Sequence, residues 1–230
     1  MQRSGKPVMY AEVLFSVGLL LISLAIALMV KADLGISVAS SVPYVISLRF
    51  PALSFGTWSY LVQGFLVASL VLIVRKIRLA YLLSFGVSVA FGVLLDVFGL
   101  WLAPLVLSGY LARAGLFAAS LILISLGIAC FVASQLPLLP YDLFVKELAA
   151  HTNKSFRLCK TLFDFACLLF SALFLLVFVR RLIGLGIGSL LSALLLGSLS
   201  GTWLTLIGRH ITVQPLLNLG HHPTAGPKNP

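Results

Sequence analysis

The fold is decided by a stretch of sequence that occurs twice. Residues 21–34 read LISLAIALMVKADL and residues 123–136 read LISLGIACFVASQL, with eight of the fourteen positions identical at an offset of 102. Both copies lie within longer apolar runs. Because a chain in lipid pairs its backbone amides within each segment, such runs predict transmembrane helices. Only the first copy carries charge at its end, at Lys31 and Asp33.

The composition is that of a membrane protein throughout. Of 230 residues, 60% are hydrophobic and 10% are charged, and the mean hydropathy is +1.13, which leaves too little polar surface for a soluble domain. We predict an all-α, polytopic membrane protein with one transmembrane domain over 1–210 and a disordered tail over 211–230. Six spans are predicted, at roughly 9–30, 57–74, 79–103, 114–134, 158–179 and 182–207.

The net charge of +10 indicates an orientation rather than a nucleic-acid partner. Lys and Arg concentrate in the cytoplasmic loops of membrane proteins. A cytoplasmic N-terminus places eleven of the sixteen Lys and Arg residues inside and five outside. We therefore predict that both termini are cytoplasmic and that the protein binds no nucleic acid. Arg180 and Arg181 run against this trend, since they fall on the outer side.

The offset of 102 persists beyond the opening stretch and indicates an internal duplication. Matching residues also occur in the third and sixth spans, where Gly86, Gly99 and Trp101 correspond to Gly188, Gly201 and Trp203. Each unit, about 9–103 and 114–207, then contains three spans. Because three is odd, the second unit enters the membrane from the opposite side. The fold is thus predicted to be two inverted three-helix repeats, a plan found in many secondary transporters.

The connectors after the first and fourth spans differ in character. Residues 141–152, YDLFVKELAAHT, place Leu143, Phe144 and Leu148 on one face, which predicts a short amphipathic helix that begins near Pro140. The first connector, residues 37–50, is less charged. It either lies in the membrane interface or dips partway into the membrane.

Asp164 is the leading candidate for a functional side chain. It lies on a polar stripe of the fifth span with Lys160, Cys167 and Ser171. A carboxylate at membrane depth is costly and usually faces protein or water. Asp164 is therefore either a proton- or cation-binding group that lines a cavity, or the partner of Lys160 in an ion pair one helical turn apart.

Asp96, Lys31 and Asp33 form a second candidate group. Asp96 lies about 26 Å along the third span from Leu79 at 1.5 Å per residue, and Lys31 and Asp33 end the first span at the same level. A Lys31–Asp96 pair is expected, either as a gate that closes the outer side in one state or as a static salt bridge. The first copy of the repeat would then keep its charge because its end meets Asp96, where the second copy has Ser198.

The remaining candidates are neutral. Gln63 in the second span lies near the repeat equivalent of Asp164, and it either forms an interhelical hydrogen bond or lines the solute pathway. Glycines in the third and sixth spans predict close helix packing, within the chain or in a homodimer. They are Gly92, Gly99, Gly184, Gly188, Gly197 and Gly201.

Three segments carry a resemblance to a known family. ALMVKADLGIS (27–37), GVLLDVFG (92–99) and PYDLFVKEL (140–148) resemble the bacterial YczE family, which is related to the YyaS and YitT membrane proteins. The resemblance covers about residues 10–210. It implies a fold type and a bacterial plasma membrane, and it names no substrate. Members of the family have been linked to secondary-metabolite production, which implies an accessory role as readily as transport.

The sequence favours two functions. The first is a small-solute transporter or permease in the lipid bilayer, coupled to protons through Asp164 or Asp96. The second is a non-transporting accessory or regulatory protein that supports a biosynthetic partner, marked by a bundle without a midplane cavity in which Asp164 is closed onto Lys160. No nucleophile–base set, metal-ligand spacing or cofactor loop is present, so we predict no enzyme, cofactor or metal.

Overall fold

The structure, a computed structural model, describes residues 7–136, 139–180 and 183–214. It is helical apart from one short pair of strands. The elements are β1 (Val8–Tyr10), α1 (Ala11–Ala32), α2 (Val38–Arg49), α3 (Phe55–Val74), α4 (Leu79–Trp101), α5 (Tyr110–Ala133), α6 (Pro140–Thr152), α7 (Phe156–Phe174), α8 (Ile187–His210) and β2 (Thr212–Gln214). Helix α7 continues as a π-helical turn, Leu175–Val179.

The prediction of a six-span helical membrane protein is confirmed. Among the described residues, six helices are long and apolar enough to cross a membrane: α1, α3, α4, α5, α7 with its π-helical turn, and α8. The two connectors form the short helices α2 and α6, as predicted for the second of them. In α6, Pro140 is the first residue, where its missing N–H costs no hydrogen bond.

The two strands lie at the ends of the described part of the chain and pair with each other. Strand β1 pairs in parallel with β2, so that Val8 lies opposite Thr212. The disordered tail predicted from residue 211 therefore has an ordered strand at its start, and residues 215–230 lie outside the described part of the chain.

Helices α1 and α5, which carry the duplicated stretch, form the centre of the bundle. Half of each span is buried, against 11–28% in the other four spans. Glycines let their backbones approach, because a Cβ on Gly18 would lie only 2.9 Å from the Gly127 carbonyl oxygen. The Phe15 and Phe131 rings pack beside this contact, with centroids 4.5 Å apart.

The other helices pack around this pair in a pattern that crosses between the halves of the chain. Helix α4 packs on α1, and α8 packs on α5. Short helix α2 lies between α3 and α7, and short helix α6 lies between the same two spans. Helices α2, α3, α6 and α7 thus form a closed ring. Each short helix contacts one long helix of its own half and one of the other half.

One helix contact of the first half has no counterpart in the second half. Helix α3 packs tightly on α4, where a Cβ on Gly56 would lie 2.0 Å from the Gly92 carbonyl oxygen. In the described residues, α7 and α8 have no comparable packing. At the repeat offset Gly56 and Gly92 correspond to Leu158 and Leu194, whose side chains keep helices apart. The inverted repeat itself stays a prediction.

Candidate functional site

A cavity of about 460 Å³ opens at the end of the bundle where α1 ends, which we call the Lys31 end. The opposite end, where α7 begins, is the Lys160 end. The cavity lies between α1, α2, α3 and α4, and its wall is mainly apolar with a few polar side chains. The lining residues are Ala27, Val30, Lys31, Tyr44, Ser54, Phe55, Leu95, Asp96, Gly99 and Leu100.

Asp96 holds the start of α3. Its Oδ1 accepts a hydrogen bond from the Gly56 backbone N–H at 2.8 Å, and its Oδ2 accepts one from the Ser54 hydroxyl at 2.5 Å. Ser54 is also the N-cap of α3 and accepts the Thr57 N–H. A carboxylate at this position compensates the partial positive charge of a helix N-terminus. The N-terminus of α3 therefore already compensates the negative charge of Asp96.

The predicted static pair between Lys31 and Asp96 is wrong. No such pair lies within 4.0 Å in the described part of the chain; the Lys31 ammonium donates instead to the Ala103 carbonyl oxygen at 3.0 Å. The reason is that the α3 N-terminus supplies Asp96 with backbone and hydroxyl donors from a fixed position. Lys31 and Asp96 nevertheless line the same cavity.

Asp33 has a partner in the structure, although the sequence predicted none for it. Arg113, at the start of α5, donates to the Asp33 carboxylate at 2.6 Å and to the backbone carbonyls of Ala32 and Asp33 at 2.7 Å. Asp33 adopts a left-handed φ of 50° that ends α1. The charge at the end of the first copy is therefore explained by the junction of α1 with α5.

Several buried polar side chains lie on the ring formed by α2, α3, α6 and α7. Ser41 of α2 and Ser171 of α7 are fully buried, and their hydroxyls are 2.8 Å apart. Cys167, one turn before Ser171, is buried as well. Tyr141 of α6 is buried on the same side, since its ring lies 6.2 Å from that of Phe163 on α7. Burial raises the pKa of the Tyr141 phenol far above its ordinary value, so the hydroxyl stays protonated.

Gln63 is the most unusual residue of this interior. Its side chain has 0% exposure, and neither Nε2 nor Oε1 has a hydrogen-bond partner among the described residues. The interhelical hydrogen bond expected for it is thus not formed. The buried hydroxyls of Ser59, one turn away on α3, and of Tyr141 also have no partner among the described residues. Leaving a buried polar group unpaired costs about 1–3 kcal/mol.

Asp164 forms the ion pair that the sequence suggested. The Lys160 ammonium lies 3.4 Å from Asp164 and 3.3 Å from Asp142 of α6. All three side chains are partly exposed, between 29% and 44%. Asp164 lies one position from the repeat equivalent of Gln63, and each lies nine residues after the serine, Ser155 or Ser54, that caps its helix.

The glycines that were predicted to pack fall into two groups. Gly92, Gly184 and Gly188 are in close contact, with Gly184 at a φ of 74° against the Tyr44 ring and Gly188 against the Leu34 carbonyl. A Cβ on Gly99, Gly197 or Gly201 would meet no atom of the described residues within 4 Å. A homodimer through these last glycines stays a prediction.

Sequence reasoning missed four residues of the site. Ser59 and Tyr141 are neutral and look ordinary in an apolar chain. Arg113 was counted only among the five Lys and Arg residues on the outer side. Its place at the start of a span nevertheless indicates contact with a neighbouring helix end. Gly56 carried a usable signal, since it lies just inside a span that follows a serine cap.

These features define an α-helical, multi-pass membrane protein with a polar interior. A family model described as "Family of unknown function (DUF6198)" matches residues 9–205. The chain belongs to this family. It is also 27% identical over 203 residues to the "Uncharacterized protein YyaS" of Bacillus subtilis (strain 168), a match that covers 85% of this chain and 93% of that protein. No solved structure matches.

The family match and the YyaS match test the resemblance to the YczE family that the sequence carries. An uncharacterised bacterial family with a YyaS relative is confirmed, whereas the narrower YczE assignment stays a prediction. In residues 7–136, 139–180 and 183–214, no three His, Cys, Asp or Glu side chains come together as a metal site would require.

Proposed function

We propose that the protein moves a small solute across the membrane by alternating access. The cavity at the Lys31 end is the vestibule for one side, and the ring of α2, α3, α6 and α7 is the path beyond it. Short helices packed inside a bundle, with polar side chains at mid-span, are typical of transporter binding sites. Gln63 is the ninth of the 20 residues of α3, which places it near the middle of the span.

The observation that carries this proposal is the crossed packing of the short helices. Helix α2 packs on α7, and its counterpart α6 packs on α3. Likewise α1 packs on α4, and α5 packs on α8. Exchanging the two halves maps each of these contacts onto another one, as a two-fold axis through the α1–α5 contact would. Such an axis in the membrane plane would supply two states of similar energy that open to opposite sides.

The proposal includes an orientation in the bacterial plasma membrane. Exposed cations gather at the Lys160 end, where α3 ends and where α4, α6 and α7 begin or end. By the positive-inside rule this end is cytoplasmic, and both termini lie there. The cavity then opens outward. The cations at the Lys160 end are Arg75, Lys76, Arg78, Lys146, Lys154 and Arg157.

Asp164 is the proposed site of proton coupling. Its pair with Lys160 must open when a proton arrives, because protonation removes the attraction between them. Asp96 is a weaker candidate, since two fixed donors already compensate its charge. An Asp164→Asn variant should keep solute exchange but lose acceleration by a pH gradient. Unchanged acceleration would remove Asp164 from the coupling step.

A second candidate function is favoured by the same ion pair. Asp164 closed onto Lys160 at 3.4 Å is the arrangement expected of a static, non-transporting accessory protein. The cavity at the Lys31 end and the unpaired Gln63 amide favour transport. The transport experiment described next distinguishes the accessory function from transport.

Transport can be tested without knowing the solute. The full chain is reconstituted into liposomes, which are loaded from a bacterial metabolite extract, and the lumen is analysed by mass spectrometry. Gly99→Trp fills the cavity from a glycine with free space around it. Gly86→Trp is the matched control, on the same helix, with equal space and outside the cavity lining.

At least one solute should be enriched by the wild type and by Gly86→Trp, and this enrichment should be lost in Gly99→Trp. If wild-type liposomes take up nothing beyond empty liposomes, transport is refuted and the accessory function is supported.

A further inference from the structure

We propose that Ser59 and Gln63 of α3 form a binding site for a neutral solute that carries a hydrogen-bond donor beside an acceptor, as a carboxamide does. The inference rests on the proposed transport function and names the class of solute. It starts from three buried neutral groups without hydrogen-bond partners in the described residues, those of Ser59, Gln63 and Tyr141.

The two α3 side chains lie on the buried face of α3, deeper in the bundle than the residues that line the cavity. Gly56 contacts the carboxylate of Asp96, which lines the cavity wall. Ser59 follows Gly56 by one turn and Gln63 follows it by two, about 10 Å deeper at 1.5 Å per residue. All three residues are buried on one side of α3. A solute that leaves the cavity along α3 therefore meets the Ser59 hydroxyl and then the Gln63 amide.

The chemistry of the unpaired atoms selects the solute. Gln63 offers both a donor, Nε2, and an acceptor, Oε1, and the Ser59 hydroxyl can serve as either. A carboxamide satisfies both Gln63 atoms at once in a cyclic pair of hydrogen bonds. Ser59 then adds a third bond. Tyr141, on the neighbouring helix α6, supplies another neutral hydroxyl to the same interior.

The surrounding charges make an ionic solute unfavourable. A buried ion needs an opposite charge, because desolvation is costly. The three Asp side chains that border this interior are already engaged: Asp96 with the start of α3, and Asp142 and Asp164 with Lys160. The buried side-chain atoms that have no hydrogen-bond partner in the described residues all belong to neutral groups. The site therefore favours a neutral solute over an ionic one.

Acetamide and acetate provide a matched pair of probes, since they have nearly the same shape and differ in charge. Thermal unfolding of the purified full chain is measured in each, at equal ionic strength. At ten times its dissociation constant, acetamide should raise the Tm by about 3–6 °C in a saturable manner, and acetate should not. Gln63→Leu should abolish the rise. Ser59→Ala should reduce it at least threefold, while Ser69→Ala, at a partly exposed serine of the same helix, should leave it unchanged.

Several results would overturn the inference. One is a Tm response to acetamide that is absent, or that is equal in Gln63→Leu and the wild type. Another is a specific response to acetate. If Gln63→Leu does not fold, the comparison of Ser59→Ala with Ser69→Ala decides. Acetamide binding without uptake into liposomes would refute transport and leave the site intact. Uptake of ions that is insensitive to Ser59→Ala and Gln63→Leu would refute the site and leave transport intact.

Discussion

Replacing Gly92 by alanine tests the closest helix contact of the structure. A Cβ at position 92 would lie 2.5 Å from the Gly56 carbonyl oxygen and 3.0 Å from the Tyr60 ring. Ordinary van der Waals contact begins near 3.4 Å, so the backbones of α3 and α4 must separate by about 0.9 Å. The separation also lengthens the 2.8 Å hydrogen bond from the Gly56 N–H to Asp96.

The expected cost follows from two opposing terms. Overpacking of this kind costs about 1–3 kcal/mol, and the better helix propensity of alanine returns about 1 kcal/mol. The net loss of stability is about 0–2 kcal/mol, which lowers the Tm by up to roughly 8 °C for a chain of this size. Thermal unfolding in detergent, followed by circular dichroism, measures the change.

Gly86→Ala is the control for this prediction. Gly86 lies on the same helix, and a Cβ there would meet no atom of the described residues within 4 Å. Only the propensity term acts, so the Tm should stay constant or rise slightly. If Gly92→Ala is as stable as Gly86→Ala, the close approach of α3 and α4 is wrong.

Two further predictions concern side chains that join elements. Burial raises the folded-state pKa of Tyr141, so its contribution to stability is complete below the unfolded pKa of about 10 and is lost as the pH rises above it. Tyr141→Phe should therefore weaken the alkaline loss of Tm, and an identical pH profile would contradict this. Arg113→Ala removes three hydrogen bonds at the end of α1 and should cost about 1–3 kcal/mol in thermal unfolding. Arg113→Lys should recover little because lysine lacks the guanidinium fork, and full recovery would show that charge alone matters.

The long helices could be predicted from the sequence because lipid imposes a simple rule on it. Six apolar runs gave six spans within a few residues, and the spacing of Leu143, Phe144 and Leu148 gave α6. Helix α2 is different, since apolar, serine and proline residues alternate there without a clear face. Its place between α3 and α7 depends on contacts with residues more than 100 positions away, such as Ser171.

The site was only partly predictable because partners are set by packing. Asp164 and Lys160 are four residues apart on one helix, so their pair could be seen in the sequence. For Asp96 the sequence indicated Lys31, which lies at the same depth, and for Asp33 it indicated no partner. In the structure Asp96 accepts hydrogen bonds from the start of α3, and Asp33 pairs with Arg113. Neither partner is close to its aspartate in sequence. Gln63 was singled out as polar, but that its amide lacks a partner follows only from the packed interior.

The proposed transport depends most on two inverted halves of the chain, each with a water-accessible vestibule on its own side of the membrane. Gly99 and Gly201 are equivalent positions at the offset of 102, and each has room for a side chain. Single cysteines at these two positions, in a chain whose three native cysteines are replaced, can be labelled with a membrane-impermeant maleimide from either side of sealed vesicles. We expect Gly99→Cys to react from one side and Gly201→Cys from the other. Reaction of both from the same side, or no reaction of Gly201→Cys from either side, would contradict the account.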